Sequence, residues 1–89
     1  MRELFLKTLT LPDESGQRHS YDYSILIGEM DVGPFFCESY GIRVVERGGA
    51  EASAPHVTTS AARIDELSEL LLRNAVTPTT FHEVLADWL

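Results

Sequence analysis

A chain of 89 residues, 44% of them hydrophobic, has the length of one globular domain and lies outside the compositional range of disordered segments. Seven Lys and Arg stand against 14 Asp and Glu, for a formal net charge of −7. The cations are scattered, so the basic cluster that binds nucleic acid or an anionic membrane surface is missing and neither partner is expected.

The one cysteine, Cys37, leaves no internal disulfide to form and fits a reducing compartment. No apolar run approaches the ~20 residues of a membrane span. Met1 to Lys7 lacks the long apolar stretch and cleavage site of a signal peptide. A cytoplasmic protein is expected, with 1–89 as a single domain.

Glu3 to Leu11 reads as a first strand, with Phe5, Leu9 and Leu11 on one face and Leu4, Leu6, Thr8 and Thr10 on the other. Pro12 to Gly16 is a cluster of turn residues. From Ser20 to Ile27, Tyr21, Tyr23, Ile25 and Ile27 alternate with Ser20, Asp22, Ser24 and Leu26, the period of a half-buried strand. Gly28 to Pro34 reads as a connection, because two glycines and a proline disfavour a continuous strand. A third strand follows over Phe35 to Glu46, with Phe36, Glu38, Tyr40, Ile42 and Val44 on one face. In it Gly41 marks a bulge or a close backbone approach. Arg47 to Ser53 reads as a loop, and Pro55 to Thr58 as a short fourth strand.

The last third is helical. Ile64, Leu67, Leu70, Leu71 and Ala75 form one stripe, which Thr59 or Ser60 can cap. After Thr77 and Pro78 a second helix carries Phe81, Val84, Leu85, Trp88 and Leu89 at helical spacing. Thr77 and Thr80 compete as its cap. The expected fold is α+β. An antiparallel sheet of three or four strands, within about 3–58, is followed by two C-terminal helices, about 60–75 and 78–89, packed on one face. Trp88 is expected to be buried against the sheet.

The C-terminal phrase Val76-Thr77-Pro78-Thr79-Thr80-Phe81-His82-Glu83-Val84-Leu85-Ala86-Asp87-Trp88-Leu89, together with Tyr40-Gly41-Ile42-Arg43-Val44, resembles a small family of hypothetical proteins from clostridia and related Firmicutes, classed as a domain of unknown function. The likeness covers most of the chain, and its motifs are caps, staples and core positions. It implies a bacterial, cytoplasmic setting and carries over no catalytic or binding residue.

Candidate chemistry is sparse. A reactive cysteine needs a base or a cation beside it, and nothing in the sequence places His19, His56 or His82 next to Cys37. The cysteine is expected to be a small apolar strand residue with a slow thiol. The three histidines show none of the short spacings of a zinc site. Glu29, Asp31 and Glu38 read as a solvated loop, and Arg47 to Ala50 lacks the lysine and spacing of a phosphate loop. No catalytic, cofactor-binding or metal-binding residue is assigned.

Surface use is the more promising line. Leu4, Leu6 and Leu26 fall opposite the principal strand stripe, where two short helices would leave the sheet open. The resulting expectation is a non-catalytic protein-interaction or regulatory module. It forms a homodimer, through the open face around Leu4, Leu6 and Leu26 or through an edge strand joined to its twin, or binds an unidentified protein partner, basic partners remaining open. The alternative is a small enzyme or metal-binding protein using Cys37 and the histidines.

Overall fold

The computed structural model describes residues 2–89, and Met1, part of the N-terminal reading above, lies outside them. Four strands come first: β1 (Arg2–Pro12), β2 (Arg18–Val32), β3 (Phe35–Glu46) and β4 (Glu51–Thr58). Helices α1 (Ala61–Arg73) and α2 (Phe81–Trp88) follow. The strands form one antiparallel meander in the order β1-β2-β3-β4, so the α+β architecture read from the sequence is the one adopted.

One face of the sheet makes the core. Tyr23 and Ile25 of β2, Ile42 and Val44 of β3 and Ala52 of β4 are buried. They meet Ile64, Leu67 and Leu71 of α1, then Val76, then Phe81 and Leu85 of α2. The helical stripe thus lands on the strand stripe, as two matching periodicities require. Ser60 caps α1, accepting a hydrogen bond from the Arg63 N–H at 3.2 Å. The helix ends in a Schellman arrangement: Val76 N–H donates to the Leu71 carbonyl at 3.0 Å and Ala75 N–H to the Leu72 carbonyl at 3.3 Å. Ala75 takes the left-handed φ of 49° that this stop requires. Tyr23 then fastens the turn to the sheet, its buried hydroxyl donating to the Val76 carbonyl at 2.7 Å. Burial pushes the Tyr23 phenol up to about 12.

Four local expectations change. The stretch Gly28–Val32 is not a connection: β2 runs on to Val32, and Gly33 and Pro34 alone make the turn. Gly33 has φ 62°, the positive value a tight hairpin turn needs at its first position. The fourth strand starts at Glu51, which brings Ala52 into the core where a loop was expected. Helix α2 begins at Phe81 with Thr80 in the cap position and no side-chain cap bond, one turn later than Pro78 implies. Trp88 is half-buried and not sealed against the sheet. The Arg63 guanidinium of α1 sits 4.3 Å from its ring centroid in a cation–π contact, and the ring packs at the border of the core.

Candidate interaction surface

The sheet face turned away from the helices is not a bare apolar face. Arg43 of β3 reaches across β2 to Glu3 of β1 at 3.0 Å and holds Glu51 of β4 with two parallel bonds of 2.9 and 3.0 Å. Further along, Arg47 binds Asp22 at 3.1 Å, and Thr8 of β1 donates to the same carboxylate. These bonds, Arg47 first and Thr8 second, hold the Asp22 carboxyl below its usual range. A link from β3 to β1 must pass over β2 between Ser24, the partner of Arg43, and Leu26, the partner of Glu3. Both side chains lie underneath it, 3% and 8% exposed.

That lattice and one irregularity separate the three leucines expected on the open face. The register of β1 shifts between Phe5 and Lys7, so one residue is inserted and the alternation inverts. Leu4 pairs with Ile25, on the helix side of the sheet, and is 52% exposed at its edge. Leu6 sits in the irregularity and packs against the core. Leu26 alone faces the open side, where it is buried. The three leucines share no patch.

Phe5, opposite Ser24 on the open face, is 58% exposed and Leu89 74%, but the most exposed aromatic side chains lie elsewhere. β1 pairs with β2 as far as Ile27, and β4 pairs with β3 as far as Tyr40. Beyond that line, among the described residues, β2 and β3 continue alone from Gly28↔Ser39 to Val32↔Phe35, a two-stranded arm about 17 Å long at ~3.4 Å per residue. It contributes to a molecule measuring 54 × 24 × 17 Å. Phe35 and Phe36 at its end are 70% and 75% exposed, and Met30 is 37% exposed.

The two faces of the arm differ. On the helix side lie Glu29, Asp31, Glu38 and Phe36; on the other lie Gly28, Met30, Phe35, Cys37 and Ser39, with no charge. Glu29 and Glu38 stand directly opposite one another, an unfavourable like-charge pair. Arg2 binds Glu38 at 2.9 Å. A groove of about 410 Å³ opens at the root of the arm, lined by Arg2, Ile27, Gly28, Glu29 and Glu38. Of the carboxylates read as a solvated loop, Glu29 and Glu38 thus line a groove between paired strands, and Asp31 stands further out along β2. The apolar tip was missed because the segment was read as a turn. Its signal is that β2 and β3, read through to Gly33-Pro34, are longer than the strands beside them.

Cys37 sits half-buried on the arm opposite Met30, and no hydrogen bond joins it to a histidine among the described residues. His19 lies 11 residues along β2 from Met30, roughly 37 Å away at strand rise. His82 packs edge-on against Phe81, with ring centroids 5.1 Å apart, and His56 is exposed in β4 with φ 57°. Among the described residues no three His, Cys, Asp or Glu side chains converge as metal ligands.

His19 itself is fully engaged. Its Nδ1 lies 2.8 Å from Glu46 and its Nε2 2.8 Å from Asp13. Ionised carboxylates only accept, so this arrangement favours the doubly protonated ring, whose two N–H groups both donate. Asp13 first, and Glu46 second, raise its pKa above the ordinary histidine value. Asp13 is held well below the usual carboxylate range by His19 and then by Ser15. With both nitrogens bonded, His19 clasps the β1–β2 turn to the end of β3 and has no free nitrogen to act as a base.

No helix among the described residues is long and apolar enough to cross a membrane. No curated protein and no solved structure matches the sequence. A family model described as a family of unknown function (DUF6514) matches residues 2–89, which is nearly the whole chain, and the chain belongs to that family.

Proposed function

We propose that this chain is a non-catalytic protein-interaction module of the bacterial cytoplasm, and that the β2–β3 arm is its contact element. One observation carries the reading: two phenylalanines, 70% and 75% exposed, stand at the end of an arm that β1 and β4 do not flank. Exposed hairpins with bare edges invite pairing, and soluble proteins normally blunt them. This one instead concentrates its aromatic surface at the tip. The single thiol and the resemblance set out from the sequence support the cytoplasmic setting. Self-association through Leu4, Leu6 and Leu26 is not part of the proposal, because those residues share no face.

The test compares the natural chain with a Phe35→Ser/Phe36→Ser variant as baits in lysate of the source organism. Both positions are exposed, so the variant should keep its melting temperature within the small range of ordinary surface substitutions. It should lose the proteins that the natural chain retains. An identical set on both baits would remove the arm from the reading. A stoichiometric metal, or selective modification of Cys37 at neutral pH, would favour a catalytic one.

A further inference from the structure

We infer that the arm receives an extended polypeptide segment in which cationic and apolar side chains alternate, added as a strand along the free edge of β2. The inference rests on the arm being the contact element. Its starting point is the register. The last described residue of β1, Arg2, pairs with Ile27, so among the described residues no strand lines the outer edge of β2 from Glu29 to Val32. Such an edge presents backbone N–H and C=O groups in the spacing another strand satisfies.

The chemistry of the occupant follows from the period of two. An added strand places alternate side chains on the two faces of the arm. On the helix side they would meet Glu29 and Asp31, with Glu38 and Phe36 one strand further in; on the other side they would meet Met30, then Cys37 and Phe35. A cation therefore suits one parity and an apolar group the other. The like-charge pair Glu29↔Glu38 has Arg2 on Glu38 only. An incoming Lys or Arg beside Glu29, over the groove at the root of the arm, supplies the missing countercharge.

A second copy fits this edge poorly. Antiparallel pairing of two β2 edges about Met30 would set Glu29 of each chain against Asp31 of the other, and opposed like charges are destabilising. The whole chain, at net −7, brings no surplus of cations to offset this.

The probe is an end-blocked eight-residue peptide of alternating Lys and Val, followed by amide NMR shifts and hydrogen exchange. Binding should slow exchange at Glu29–Val32. Glu29→Lys/Asp31→Lys should weaken it by about tenfold or more, two cross-strand attractions having become repulsions. The same variant should prefer a Glu/Val peptide. Asp65→Lys/Glu69→Lys, an equal change of net charge on the exposed side of α1, should alter binding much less. Equal losses in the two double variants, or protection confined to other strands, would overturn the inference. A dimer of the chain alone that the Phe35→Ser/Phe36→Ser change breaks, and the peptide does not, would assign the arm to a second copy; the inference would fall and the contact role of the arm would stand. No peptide binding together with unchanged capture by the arm variant would remove both.

Discussion

At the scale of single residues, His19 gives the molecule its clearest dependence on pH. Its folded pKa is raised, so its contribution is complete below the unfolded value of ~6.5 and fades as pH climbs through the folded value. Asp13 is depressed, so its contribution is complete above its unfolded value of ~3.9 and is lost as pH falls toward the folded value. The clasp is therefore strongest between about pH 4 and 6.5. His19→Gln should lower the melting temperature most within that window, and the gap from the natural chain should narrow as pH rises into the alkaline range. A gap independent of pH would show that the ring contributes shape and not charge. None of this geometry was legible beforehand. Asp13, His19 and Glu46 lie in three separate segments, and only the β1–β2 turn and the return of β3 bring them together.

At the scale of elements, legibility followed periodicity. The alternation from Tyr21 to Ile27 and the stripe Ile64, Leu67, Leu71 placed the core correctly, because a buried face repeats its chemistry every two or every 3.6 residues. Failures came where one residue breaks the count. The irregularity at Leu6 inverted β1, and Gly33-Pro34 turned the chain in two residues where seven had been set aside. Gly41 was legible as a close approach. A Cβ there would collide with the Ala54 carbonyl oxygen and lie 2.7 Å from the Pro55 Cα, so backbone would have to move. The register of β3 against β4 shifts at the same place, between Tyr40 and Ile42. Gly41→Ala should cost about 1–3 kcal/mol, the ordinary penalty of overpacking, read as a lower urea midpoint. An unchanged midpoint would mean that β4 gives way freely. Trp88→Ala should cost about 2 kcal/mol, less than the 3–5 of a sealed aromatic, because the ring is half-buried and one contact is the Arg63 cation. Arg63→Ala should reproduce only a minor part of that loss.

At the scale of the whole molecule, the question is whether the exposed arm makes the chain self-associate. On the open sheet face Arg43 and Arg47 tie the charges to each other in pairs, Leu26 is buried under the Arg43–Glu3 link, and Phe5, opposite Ser24, stays 58% exposed. Each such pair adds little stability, about 0–1 kcal/mol. Burying the lattice in a dimer would nonetheless strip water from every charge in it. The arm remains. At about 200 Å² per aromatic ring, the exposed fractions of Phe35, Phe36 and Met30 come to roughly 350–400 Å². A stable interface needs about 600 Å² or more from each partner. The difference can come from the backbone and flanks of a strand laid along the arm, which a like-charged second copy is poorly placed to provide. The chain alone should therefore sediment as a monomer at tens of micromolar, at physiological salt as well as in low salt. A dimer that appears only when salt screens the carboxylates would show that charge, and not area, had been the barrier. A dimer at every ionic strength would show that the tip of the arm, with its two phenylalanines, is enough to join two chains.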